Sequence, residues 1–133
     1  MIKELCTFVE LQIPTMVIGA KLQVGHREQN SPDRCCVVQE PAGGDTNFYV
    51  KDMEWVQIQV IARAITYFEA RADAKAIHAI LHGAAGIEFG ISPTFYRATI
   101  TAVAVPQYIG TDEERRYEFS TNYRVAIYNQ AGS

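Results

Sequence analysis

The sequence predicts an α+β fold in which two helices pack on one face of an antiparallel or mixed β-sheet. Three observations lead to this prediction. Residues 55–63 alternate apolar and polar side chains, as a half-buried strand does. Residues 67–81 repeat apolar side chains at spacings of three and four, which is typical of an amphipathic helix. Residues 95–105 and 117–128 alternate again and predict an antiparallel pair of strands.

Length and composition are those of an ordinary globular protein. The 133 residues suit a single domain over 1–133 with its own hydrophobic core. The net charge of −3 gives no whole-chain signature of nucleic-acid binding. No apolar run is long enough to span a membrane, and Glu4 and Glu10 interrupt any signal-peptide core. We therefore expect a protein that is made and kept in the cytoplasm.

The first half of the chain predicts one helix and two short strands. Residues 2–12 place apolar side chains at helical spacing, so they predict a short amphipathic helix. Residues 16–24 are consistent with a strand or an extended arm that is interrupted by a glycine. Residues 25–34 are rich in turn-forming and polar types and predict a loop, after which residues 35–38 predict a strand.

The second half is organised around the segment 55–83, in which the central strand leads directly into the main helix. Residues 84–94 contain two glycines and predict a loop before the next strand. In that strand the small side chains of Ala98 and Ala102 share one face, so we expect a helix to approach it closely. Residues 107–116 predict a charged connection to the last strand.

The main helix carries charges of opposite sign on its two flanks. Arg71 and Lys75 lie on one side of the apolar stripe, and Glu69 and Asp73 lie on the other. One interpretation is a solvated surface that keeps the helix soluble. The other is a lateral contact between copies, and apolar residues in the sheet register opposite to the core favour a covering subunit. The candidate contact residues are Trp55, Ile61, Glu69, Arg71, Asp73 and Lys75.

No catalytic, metal or cofactor site is predicted. His78 and His82 are four residues apart and could both reach one ion, but Ala79 occupies the position where a zinc protease has its glutamate. Gly43 and Gly44 lack the rest of a phosphate-binding motif and predict a flexible loop. The three cysteines are an odd number with two adjacent, which argues against a disulfide framework. We therefore expect no enzyme and no cofactor.

Three segments in order resemble the tail terminator (minor capsid, or tail-completion) proteins of long-tailed bacteriophages and prophages. They are PDRCCVVQEPAGG at 32–44, WVQIQVIARAITYFEARADAKAIHAILHG at 55–83, and PQYIGTDEERRYEFSTNYRVAIY at 106–128. A strand ends in a proline and a glycine-rich loop, a glutamine-rich strand leads into an alanine-spaced helix, and a proline and a short loop with Gly and Asp precede the last strand. Each motif alone is common, and their order and spacing carry the resemblance.

The resemblance implies an α+β subunit of a homo-oligomeric ring, commonly a hexamer, at the head-proximal end of the tail tube. Such a ring would stop tube polymerisation, contact the tail-tube protein and the head-completion or stopper proteins, and let viral DNA pass through its lumen. It would assemble in the host cytoplasm and remain in the virion, without a membrane or a cofactor. Candidates for the lumen or its rim are Lys51, Arg63, Arg97, Arg115 and Arg116.

Two alternatives remain open at this point. A tail-tube or head-closure protein of the same virion would differ by polymerising into tubes or by binding the portal side. A small metal-dependent hydrolase would use His78 and His82 and would require a bound metal and a closed pocket.

Overall fold

The computed structural model describes residues 2–27, 30–40, 54–85, 87–91 and 94–131. Within these residues two helices accompany a mixed sheet of seven strands, which confirms the predicted α+β class. The elements in chain order are α1 (Ile2–Gln12), β1 (Leu22–Val24), β2 (Cys35–Gln39), β3 (Glu54–Ala64), α2 (Tyr67–Leu81), β4 (Ile87–Ile91), β5 (Thr94–Ala102), β6 (Gln107–Thr111) and β7 (Tyr117–Ala131).

The strands lie in the order β1-β2-β3-β7-β5-β4, and β6 pairs with β7 beside β5. Only the β1–β2 pair is parallel among the described strands. The centre of the sheet is the β3–β7 pair, which is in register from Glu54 opposite Ile127 to Ala64 opposite Tyr117. Helix α1 contacts β1, β2 and β4, which lie towards opposite edges, so the sheet curves around the helices.

One face of the sheet forms the hydrophobic core with both helices. From β3 it receives alternate residues such as Ile58 and Val60, and from β7 the fully buried Tyr123. Helix α2 contributes its predicted stripe, including Ile77 and Leu81, and α1 contributes Leu5, Cys6 and Val9. The predicted amphipathic helices and the alternation of the central strand are thus confirmed.

Helix α2 begins where the sequence predicts it, because Thr66 caps it. The Thr66 hydroxyl accepts the backbone N–H of Glu69 at 3.2 Å and donates to the Glu69 carboxylate at 2.9 Å, which together resemble a capping box. The helix ends before Gly83, whose φ of +79° suits a residue without a side chain. Capping at both ends fixes the length of the helix and the position of its exposed row.

Three predicted boundaries are wrong. In the expected strand 16–24 only Leu22–Val24 is a strand, because the preceding residues fold into turns that include Gly19 with a φ of +89°. The loop expected at 84–94 contains β4, which forms an antiparallel pair with β5. Glycines in this segment suggest turns, yet one of them, Gly90, lies within β4.

The third difference has the largest consequence for the surface. The strand expected over 95–105 ends at Ala102, the chain leaves the sheet at residues 103–106, and it returns as β6 along the same edge of β7. The segment expected to be only a charged connection therefore contains a strand. Its hairpin with β7 is closed by the turn 112–116, where Arg115 has a φ of +62°.

Candidate functional site

The two charged flanks of α2 have different roles in the structure. Arg71 and Lys75 are exposed, and neither has a hydrogen bond or an ion pair within the described residues. Asp73 is buried and is held by Arg34, whose Nε and Nη2 donate to its two carboxylate oxygens, each at 2.9 Å. The acidic flank therefore belongs to an intramolecular network, and the basic flank is available for a partner.

Arg34 also reaches Glu69, to whose carboxylate it donates from Nη1 at 3.1 Å. The hydrogen bonds to Asp73, opposed by partial desolvation, raise the pKa of Arg34 above its ordinary value. Lys21 adds a second positive charge at 3.7 Å from Asp73. Because these contacts satisfy both acids within the chain, we do not expect Glu69 and Asp73 to contact another copy.

Arg63, a lumen or rim candidate from the sequence, is bound within its own chain. Its side chain is buried, and its guanidinium donates to the backbone oxygens of Pro32 at 2.7 Å and Asp33 at 3.2 Å. It also contacts the Ser31 hydroxyl and the Cys35 sulfur. A guanidinium offers several donors in a fixed plane, so one arginine can hold a whole turn of the 25–34 loop against β3.

The two arginines of the hairpin turn also differ. Arg116 donates to Asp112 from Nε at 2.7 Å and to Asp33 from Nη1 at 3.0 Å, so it joins the turn to the 25–34 loop. Asp112 in turn accepts backbone N–H groups from Glu114 and Arg116, at 3.0 and 2.9 Å. Arg115 is exposed. Arg116 is therefore a structural residue, and Arg115 remains available.

Arg97 and Lys51 complete the lumen candidates. Arg97 is exposed on β5, in register with Glu88 of β4. Lys51 lies outside the described residues.

The sheet face opposite the helices carries Trp55 and Ile61, both half-buried. The Trp55 ring is covered by Arg124 of β7, whose guanidinium carbon lies 4.8 Å from the ring centroid. The Ile61 carbonyl oxygen accepts from Arg27, which also pairs with Glu118 at 3.0 Å. Side chains and loops of the same chain thus provide part of the cover that sequence reasoning attributed to another subunit.

Arg27, Arg34 and Arg124 are the residues that sequence reasoning missed. Arg124 follows the inward-facing Tyr123, so the alternation of the last strand could have placed it on the outer face. Arg27 and Arg34 lie in a polar loop, where no periodicity predicts the direction of a side chain.

The two histidines of α2 are stacked, with ring centroids 5.0 Å apart. His82 Nδ1 accepts the backbone N–H of Ala102 at 3.1 Å, and His78 Nδ1 lies 3.3 Å from the Tyr123 hydroxyl. Because Nδ1 of His82 uses its lone pair in this bond, a neutral ring carries its proton on Nε2 and offers no second lone pair to a metal. Within the described residues no three potential ligands form a metal site. The geometry thus assigns the pair a structural role.

The exposed apolar side chains concentrate around β6. Val103, Val105, Ile109 and the polar Ser120 and Asn122 line an open groove beside this strand. On the other side of β6, Tyr108 packs against Tyr67 with ring centroids 5.5 Å apart. Tyr67 in turn contacts Phe68, which is 77% exposed. Among the described strands, only β7 pairs with β6, so its outer edge has no strand partner there.

The three cysteines are not part of the exposed surface around β6. Cys6, Cys35 and Cys36 are free and buried. Burial raises the pKa of Cys6 to about 12 and also raises the pKa of Cys36, so these two thiols stay protonated and inert. In the part of the chain that the structure describes, neither helix has the length and apolar character needed to cross a membrane.

Comparison with known proteins gives one clear result. A comparison with curated protein sequences gave no match. The family model of the bacteriophage tail terminator protein matches residues 13–129. This range includes β1 to β6 and α2 in full and β7 as far as residue 129, and α1 lies before it. A match over this much of the sequence shows the family, so the chain belongs to the bacteriophage tail terminator family and is a structural protein of the phage tail.

Proposed function

We propose that this protein forms a closed ring that caps the head-proximal end of the tail tube, ends tube polymerisation and offers a surface to the head-completion proteins. The match to the tail terminator family over residues 13–129 carries this proposal. The ring would be a homo-oligomer, with six copies as the expected number, and it would assemble in the host cytoplasm before it becomes part of the virion. Viral DNA would pass through its lumen.

The surface of the subunit supports assembly. A closed ring joins two different surfaces of each copy, and both must remain accessible in the free subunit. The basic row Arg71 and Lys75 is exposed on α2, and a separate apolar groove lies beside β6. Half-buried Trp55 and Ile61 remain secondary candidates, since Arg124 and Arg27 already contact them.

The proposed lumen or rim residues are now Arg97 and Arg115, with Arg124 added from the structure. All three are exposed in the described part of the chain. Arg63 and Arg116 are not in this set, because Arg63 is buried and Arg116 is half-buried, and both guanidinium groups are directed to acceptors of their own chain. Exposed basic groups attract phosphate without reading sequence, which suits a passage through which any DNA sequence must slide.

The test is the length distribution of tail tubes assembled from the tube protein of the same virus, seen by electron microscopy with and without this protein. We expect shorter tubes of defined length that carry a ring at one end, and light scattering should detect a discrete oligomer alone or with tubes. Tubes that grow unchanged and carry no added density would contradict the proposal. Self-polymerisation of this chain into tubes would identify a tube protein instead.

A further inference from the structure

The described surface contains two patches in which exposed apolar side chains lie near charged ones. The two patches differ in the sign of their net charge. The hairpin patch consists of Val105, which precedes β6, Ile109 within β6, and Glu113 at the turn, all exposed. The helix patch consists of Phe68, Arg71 and Lys75 on the outer row of α2, also exposed. Each patch therefore combines exposed apolar surface with charge, which is acidic overall at the hairpin turn and basic on the helix.

None of these three charges is neutralised within the described residues. Glu113, Arg71 and Lys75 have no ion pair or hydrogen bond from their side chains there. The neighbouring charges differ, since Asp112 and Arg116 bind each other and Glu114 lies 3.4 Å from Arg116. Within the described residues, the hairpin turn therefore has an ion pair that closes it internally, and Glu113 and the exposed Arg115 have no side-chain partner. Residues 112–116 comprise three acids and two arginines, so the turn is acidic overall.

The edge of β6 carries no charged side chain, and its protection is limited to the short length of the strand and the register shift between Tyr108 and Gly110. Its sequence QYIGT carries no charge, and Tyr108 and Ile109 are 47% and 54% exposed. Exposed apolar strand edges tend to pair or aggregate unless they carry charges or are covered by another element, for example a helix. By contrast β5, which lies on the same edge of β7, is covered by β4.

We propose that the hairpin patch of one copy docks on the helix patch of a second copy, with Glu113 facing Arg71 and Lys75 and with α2 of the second copy covering the edge of β6. This inference rests on the proposed ring and names its contact surfaces. Charge complementarity selects the second copy as the occupant, because like patches would repel and opposite patches attract. Each copy then uses its hairpin patch towards one neighbour and its helix patch towards the other, as a ring requires.

The experiment is a charge exchange, read as the fraction of protein assembled into rings, alone and with tail tubes, at one protein concentration. Glu113→Lys alone, and Arg71→Glu with Lys75→Glu, should each lower the assembled fraction at least tenfold. The triple variant should recover it to within about twofold, since the attraction is restored with the signs exchanged. Glu40→Lys, an exposed charge reversal at the end of β2, is the matched control and should assemble normally.

The apolar half of the contact is tested in the same assay. Ile109→Lys should lower assembly, because a lysine ammonium would have to be desolvated beside Arg71 and Lys75 of the neighbour. Leu11→Lys changes a side chain of similar size that is 74% exposed on α1, and it should have no effect. Circular dichroism of every variant checks that the fold is unchanged.

The outcomes separate the two proposals. A wild-type protein that forms no ring, alone or on tubes, overturns the proposed function and this contact with it. A wild-type protein that forms rings, together with charge variants that also form them, overturns the contact and leaves the ring. Rings that are lost in both charge variants and not recovered in the triple variant also overturn the proposed pairing.

Discussion

Arg34 and Asp73 form a bidentate ion pair that joins the 25–34 loop to helix α2, with both N–O distances at 2.9 Å. The Asp73 side chain is only 6% exposed, and Arg34 is 41% exposed. Loss of the arginine would leave a buried carboxylate with Lys21 at 3.7 Å as its remaining cation. The stability of the loop and that of the helix are therefore linked.

Arg34→Ala should lower the free energy of unfolding by about 2 to 3 kcal/mol, because it leaves the buried Asp73 carboxylate without its main partner. The partial exposure of Arg34 keeps this cost below that of breaking a fully buried pair. The measurement is urea denaturation followed by circular dichroism. Arg71→Ala is the matched control, since it removes an arginine that has no partner among the described residues, and it should change stability by no more than about 0.5 kcal/mol. Equal effects of the two substitutions would contradict the assignment of Arg34.

Arg63→Ala should destabilise the protein by about 2 kcal/mol, since four acceptors of the 31–35 turn would lose the buried guanidinium that donates to them. Amide hydrogen exchange should increase first in residues 31–35. Arg63→Lys should recover little, because an ammonium cannot reproduce the planar set of donors. A fully stable Arg63→Ala variant with normal exchange in this turn would show that the arginine does not hold it.

His78 should make stability depend on pH. Desolvation by burial, and then the neighbouring His82, lower the pKa of His78 below its ordinary value of about 6.5. The unfolded chain therefore binds the proton more readily, so stability is complete above about pH 6.5 and is lost as the pH falls through the lower folded pKa. The urea concentration at the midpoint of unfolding should decrease as the pH is lowered from 7 to 5, and His78→Gln should make this decrease smaller. An unchanged pH profile in that variant would assign the effect to other groups.

The sequence was sufficient for the parts of the fold that have a strong period. The central strand, α2 and the last strand were predicted because Ile58, Ile77 and Tyr123 belong to long repeats of two or of three and four residues. The segment 84–111 was harder to predict. Gly90 lies inside a strand, and residues 103–106 leave the sheet, so that two strands, β5 and β6, pair with the same edge of β7. Short strands are formed by their neighbours, and a single sequence does not show those neighbours.

The site was predicted only in part, for a related reason. Arg71 and Lys75 were correctly expected on an exposed helical row, because helical periodicity gives direction. Arg63 and Gln57 lie on the same outward face of β3 by alternation. The 25–34 loop covers Arg63, and Gln57 remains exposed. Charge and periodicity cannot distinguish these positions, since the difference arises from a loop more than twenty residues earlier in the chain.

Two adjacent residues, Asp33 and Arg34, bind the two elements that carry the proposed contact patches. Asp33 binds Arg116 of the hairpin turn, and Arg34 binds Asp73 of helix α2. In a closed ring, the angle between successive subunits is set by how each subunit orients its two contact surfaces relative to each other. Asp33 and Arg34 would then fix the orientation of the two contact surfaces relative to each other. A change in the geometry of this dipeptide would alter the curvature of the ring and the number of copies that complete a turn.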